Sequence, residues 1–227
     1  MQLRDTPATT TALRAFQLAW QKVVDDYTQR EINSEHCLQA ALYRHLRNIL
    51  PNSFKIYAEA VVRLSKNGKA DTGKSNVVMD LLVCENITIV AAIELKYTPR
   101  TEPNAEKVKK DLTSLAHISN RKKLDDRVKI EMPRFRLSDG ETLELNIATQ
   151  RKLIFAAFCS DEGTSLSEAN FLQNFRPDTG YWKNIKKLPP NLCVALARTA
   201  DTGKASPIYY GPAFERIGSN TISGGDA

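Results

Sequence analysis

Residues 77–96 constrain this chain more than any other stretch. Two apolar, β-branched runs, Val77-Val78-Met79-Asp80-Leu81-Leu82-Val83-Cys84 and Ile87 through Ile93-Glu94-Leu95-Lys96, are separated by Glu85-Asn86. Runs of this kind broken by a short polar step read as a hairpin of two buried strands. Such strands are expected to be apolar throughout, because an unpaired charge in a core is costly. Yet the hairpin carries Asp80 in its first run and Glu94 and Lys96 at the end of its second. Side chains alternate faces along a strand, so Glu94 and Lys96 point the same way. Two carboxylates and an ammonium on strands this apolar are either a buried ion-pair cluster or a working site.

Hairpin geometry makes that choice testable. Directly paired residues of an antiparallel hairpin share a face. A regular two-residue turn at Glu85-Asn86 pairs Cys84 with Ile87 and Asp80 with Ala91, leaving Glu94 on the opposite face from Asp80. Convergence requires an odd loop or a bulge that shifts the register by one. A three-residue loop Glu85-Asn86-Ile87, for example, pairs Asp80 with Ala92 and brings Glu94 diagonally near it.

The chain has 227 residues, 42% of them hydrophobic and 26% charged, with a formal net charge of +6. That is long enough for a real core, and the balance is that of an ordinary globular protein. The positive charge favours a polyanionic partner without identifying one. No apolar run follows Met1 and no stretch reaches transmembrane length, so a cytoplasmic chain with no membrane partner is expected. Cys37, Cys84, Cys159 and Cys193 form no CxxC pair, and His36, His45 and His117 are not spaced with them as zinc ligands. Reduced, buried cysteines and no structural zinc follow.

Along the chain, Thr10 or Thr11 is expected to cap a first helix over 10–29, with Leu13, Phe16, Trp20, Val23, Val24 and Tyr27 at helical spacing. Asn33 or Ser34 opens a second helix with the stripe Leu38, Leu42, Leu46 and Ile49, closed by Pro51. Glu35 falls on that stripe at the helix entrance, with Gln39 one turn on; a first-turn acid also simply suits the helix dipole. Residues 54–64 read as a strand with Ile56, Ala58, Ala60 and Val62 on one face and Glu59 on the other. After the hairpin a helix begins near Glu102-Pro103, with Val108, Leu112 and Leu115 inward and Lys107, Lys109 and Lys110 clustered. Residues 120–150 read as a basic insertion carrying Arg121, Lys122, Lys123, Arg134 and Arg136, with an exposed hairpin around Ser138-Asp139-Gly140. Strands over 152–159 and 192–197, a helix over 165–175, a short strand at Ile208-Tyr209-Tyr210 and a disordered tail over 218–227 complete a single domain spanning 1–217. This order indicates an α/β fold with a mixed central sheet and helices on both faces.

Glu35 at a helix entrance, Asp80 on a strand, and Glu94-Leu95-Lys96 on the next strand resemble the PD-(D/E)xK nuclease superfamily. The element order of its core, helix, three-stranded meander, helix, further strands, is similar over residues 31–118 and continues to about 200. Met79 stands where the family's name has proline. The resemblance implies a restriction-endonuclease-like three-layer core and Mg²⁺-dependent hydrolysis of phosphodiester bonds, in DNA rather than RNA, with Mn²⁺ able to substitute. It implies that Asp80, Glu94 and the Leu95 carbonyl bind the metal, with Glu35 an outer ligand. Lys96 would orient or help deprotonate the attacking water, a task a lysine of lowered pKa suits. Glu59 is a weaker rim candidate. Lys107, Lys109, Lys110, Arg121, Lys122 and Lys123 would contact phosphates. By analogy, such a nuclease serves in defence, restriction or repair, as a homodimer or with a protein partner. Two other readings stay open: a catalytically silent module of the same fold that binds nucleic acid or a partner, and an inert buried salt-bridge triad.

Overall fold

The computed structural model describes residues 6–66, 69–70, 76–100, 104–119, 128–131, 143–160, 191–199 and 205–210. Helix α1 (Pro7–Thr28) begins earlier than its apolar periodicity suggests. Thr6 caps it, its Oγ1 accepting from the Thr9 N–H at 3.3 Å, and Pro7 occupies the first turn, where a missing N–H costs nothing. Helix α2 (Glu35–Ile49) is capped by Ser34, which accepts from the Cys37 N–H at 3.2 Å, and it stops at Leu50, which takes the extended conformation that a following proline requires. Helix α3 (Ala105–Ser119) begins just after Asn104. Asn104 Oδ1 accepts from the N–H groups of Glu106 and Lys107, both at 3.1 Å, and satisfies two donors the first turn leaves open.

The strands are β1 (Phe54–Lys66), β2 (Lys69–Ala70), β3 (Asn76–Glu85), β4 (Thr88–Thr98), β5 (Val128–Glu131), β6 (Leu143–Ser160), β7 (Leu192–Thr199) and β8 (Ala205–Tyr210). They form one mixed sheet in the order β2-β1-β3-β4-β6-β7-β8, and β5 bridges β1 and β6. Strands β1, β3 and β4 make an antiparallel meander; α3 then carries the chain over to β6, which runs parallel to β4. The alternation read over 142–147 opens the long strand β6, with Leu145 buried and Asn146 and Ile147 half-buried, and β5 pairs antiparallel with residues 143–145; the Ser138-Asp139-Gly140 turn lies outside the described residues. The helix read over 165–175 and the tail over 218–227 lie outside the described residues.

Each face of the sheet has its own apolar core. On one, Phe16, Trp20, Leu38, Leu42 and Leu46 of α1 and α2 pack on Leu81, Val83, Ile93, Leu95, Ile154 and Phe158. On the other, Val108, Leu112, Leu115 and Ile118 of α3 pack on Met79, Leu82, Ala92, Phe155 and Leu196. The result is three layers, helix, sheet, helix, with each large side chain buried contributing about 1.5–3 kcal/mol. β1 changes sides midway. Ile56 belongs to the first core and Ala60 and Val62 to the second, while Ala58 is exposed, because Glu59 adopts φ 50° and breaks the alternation. Cys84 and Cys193 are buried and Cys37 half-buried, none of the three in a disulfide; burial pushes the Cys84 thiol up to about 12, which keeps it inert. Among the described residues no helix is long and apolar enough to cross a membrane.

Candidate active site

The hairpin closes through a two-residue turn, Asn86-Ile87, with Asn86 at φ 52°, a left-handed conformation asparagine tolerates. Glu85 pairs with Thr88 and Cys84 with Ile89, a register that alone would send Asp80 and Glu94 to opposite faces. It does not persist. Between Cys84 and Val83 the register shifts, so that Val83 pairs with Ala91 and Leu81 with Ile93. One further step along this ladder brings Asp80 opposite Glu94. The extra residue, Val90, is a β-bulge, and the shifted register is the one in which the two carboxylates can converge.

At that point the sheet also opens. Pairing between β3 and β4 ends at Leu81–Ile93; beyond it β3 continues against β1, and β4 against β6. The Leu95 N–H, left without a ladder partner on β3, donates instead to Asp80 Oδ2 at 2.7 Å. Gln39 of α2 donates through Nε2 to the Asp80 carbonyl at 2.8 Å, so this residue is fixed at both its backbone and its side chain. Glu94 is buried, 5% exposed, with the Asp80 carboxyl near enough to repel its charged form.

Lys96 extends from the same face of β4 into this fork. Its Nζ lies 3.0 Å from Asp111 Oδ2 of α3 and 3.5 Å from Glu35 Oε2 of α2, with only 12% of the side chain exposed. The Asp111 contact is an ion pair without hydrogen-bond alignment, since Oδ2 is buried and has no hydrogen-bond partner. Glu35 also accepts from the Tyr97 N–H at 3.3 Å. Four carboxylates thus surround one ammonium. Burial raises the Glu94 carboxyl well above its ordinary value, and repulsion from Asp80 and Asp111 adds to this. Asp80 and Asp111 are raised too, mainly by burial.

Lys96 corrects an expectation. A lowered pKa would have made it a proton acceptor, and burial does push it down. The carboxylates of Asp111, Glu35 and Asp80 outweigh that, so its pKa is raised and it stays an ammonium at neutral pH. As an ammonium it can orient and neutralise.

The fold brings together Glu35, Asp80, Glu94 and Lys96, the groups that stand out in the sequence, and adds Asp111. The signal lay in the α3 stripe, where position 111 falls between Val108 and Leu115 at inward spacing yet carries an acid. Glu59 lies beside Asp80 on β1, half-buried, with its Oε1 3.9 Å from His36 Nε2. On α3, Lys107 and Lys110 are exposed, whereas Lys109 is half-buried and 4.0 Å from Glu106. Arg121, Lys122 and Lys123 lie outside the described residues. Among the described residues, no group of three or more His, Cys, Asp or Glu is arranged to hold a metal ion by itself. Comparison with protein-family models, curated proteins and solved structures returned no match.

Proposed function

We propose that the protein is a metal-dependent nuclease of restriction-endonuclease-like fold, hydrolysing phosphodiester bonds in DNA. One observation carries this reading: the bulge at Val90 and the parting of β3 from β4 converge Asp80, Glu94 and Lys96 at an open fork. A purely structural ion-pair cluster has no need of more carboxylates than cations, since uncompensated buried charge is destabilising.

The donor set suits Mg²⁺, which keeps several waters and needs only one or two carboxylates from the protein. Asp80 and Glu94 would hold it, with the Leu95 carbonyl and, further out, Glu35. When bound, it would supply Lewis-acid stabilisation of phosphate charge and a lowered pKa for water. Lys96, as an ammonium, orients the attacking water and offsets charge developing on the phosphate. Asp111 and Glu35 hold Lys96 in place. Gln39 positions Asp80.

Plasmid and single-stranded DNA incubated with Mg²⁺ or Mn²⁺ test the reading directly. Cutting that stops with EDTA supports it, a gel shift without cutting supports a silent binding module, and neither result leaves an inert ion cluster. Calorimetric titration adds a second readout. Asp80→Ala and Glu94→Ala are each expected to weaken Mg²⁺ binding by about tenfold or more, in the range seen when groups that tune a metal site are lost. Unchanged affinity in both variants would remove the ligand assignment.

The exposed lysines of α3 are expected to hold backbone phosphates. Reversing charge with Lys107→Glu/Lys110→Glu should weaken binding to all sequences alike and flatten the salt dependence by about 0.7–0.9 per lost phosphate contact. A salt slope unchanged by both substitutions would place the polyanion elsewhere.

A further inference from the structure

A groove of about 820 Å³ opens beside the fork, between the end of α1 with the turn into α2 and the end of β4. Tyr27, Arg30, Asn33, Tyr97, Pro99 and Arg100 are among the residues lining it. It shares a wall with the acidic cluster: Tyr97 follows Lys96, and the Tyr97 N–H binds the same Glu35 oxygen that faces Lys96 Nζ. From this geometry we infer that the groove seats an unpaired nucleotide next to the scissile phosphate, so that the substrate is a single strand or a frayed end rather than an intact duplex. The inference rests on the nuclease reading and adds the form of the substrate to it.

Three features support it. The first is charge. Four carboxylates around one ammonium repel a polyanion, so the attraction must come from nearby cations, and Arg30 and Arg100, both exposed, line the adjoining groove. The second is the aromatic wall. The rings of Tyr27 and Tyr97 meet edge-on with centroids 6.4 Å apart, and both rest on Phe158, at 4.7 and 6.1 Å. The Tyr97 hydroxyl donates to the Ile32 carbonyl at 2.9 Å, which fixes the ring before anything binds. Half-buried aromatic side chains flanked by arginines are the usual platform for unstacked bases. The third is shape. A volume within the range of about 300–1,000 Å³ typical of small-ligand sites admits one nucleotide, whereas a duplex keeps its bases stacked inside and offers only its convex backbone.

The test is fluorescence anisotropy with a short labelled oligothymidylate and with the corresponding blunt duplex, with Ca²⁺ in place of Mg²⁺. The variant is Arg30→Asn/Arg100→Ala; asparagine is chosen because Arg30 has φ 66°. Wild-type protein is expected to prefer the single strand. The double variant should lose about tenfold or more of that affinity, and its log–log salt slope should be shallower by about 1.4, the value for two single-strand phosphate contacts. Unchanged single-strand affinity, equal loss on strand and duplex, or no binding of either by wild type would each overturn the inference. The nuclease reading is judged separately, by Mg²⁺-dependent hydrolysis of bis(p-nitrophenyl) phosphate, a diester too small to need the groove.

Discussion

Lys96→Ala is expected to lower Mg²⁺-dependent phosphodiester cleavage by about 1,000-fold, the scale of losing a group that positions water and stabilises transition-state charge. The same substitution should destabilise the fold. Lys96 and Asp111 are both largely buried, with side chains 12% and 14% exposed, and removing one partner of such a pair costs about 3–5 kcal/mol. The two effects can be separated. Lys96→Met/Asp111→Leu removes both charges and fills the space with apolar atoms, so thermal stability should largely return while cleavage does not. Single-turnover rates and thermal melts on the three proteins check this. A double variant that regained cleavage together with stability would reduce Lys96 to a structural ion pair. Raising the pH toward the lysine range is expected to lower cleavage rather than raise it, because the Lys96 pKa is raised in the metal-free fold.

Glu94→Gln is expected to raise the melting temperature of the metal-free protein at pH 8 by several degrees while abolishing cleavage. Its direction follows from proton linkage. In the folded chain burial lifts the Glu94 carboxyl well above its unfolded value, with Asp80 and Asp111 pushing the same way. Between those two values the folded state holds a proton that the unfolded state has released. The group's contribution is therefore fully present on the acid side and is lost as pH rises through the raised value. Wild-type protein in EDTA should melt higher at pH 5.5 than at pH 8, and glutamine, which never ionises, should narrow that difference. Each kcal/mol relieved is worth about 2–4 °C in a chain of this size. Mg²⁺ should raise the wild-type melting temperature at pH 8 and leave that of Glu94→Gln nearly unmoved. A wild-type melting temperature that climbs from pH 5.5 to pH 8, with Glu94→Gln following the same curve, would show that Glu94 is not a strained acid.

Much of the architecture was legible in the order of residues. The stripe Leu38, Leu42, Leu46 with Ser34 before it and Pro51 after it bounded α2 closely, because capping and proline sterics act within a few residues. The apolar runs of the hairpin identified β3 and β4, since a strand that reads as apolar on both faces has to be covered on both. Errors arose where the deciding interaction was not local. Helix α1 starts at Pro7 because Ala8 and Thr9 of its first turn are buried. Residues 143–147 belong to β6 because β5 and β4 pair with them there. Alternation in β1 fails at a single backbone angle, that of Glu59.

The site divides along the same line. The sequence by itself determined which groups are available: Glu35, Asp80, Glu94 and Lys96 stand out because charge is rare inside apolar runs. It also determined that Glu94 and Lys96 share a face, since strand periodicity is set by covalent geometry. Only the tertiary structure decided whether Asp80 joins them. The Asn86-Ile87 turn on its own would have separated Asp80 from Glu94, and the bulge at Val90 reverses that outcome. A bulge adds one residue to one strand and is held by packing and pairing across several strands, so no local pattern announces it. Asp111 enters the site for a similar reason. Its inward position is periodic, but its partner Lys96 comes from β4, and only the docking of α3 on the sheet brings the two within 3.0 Å.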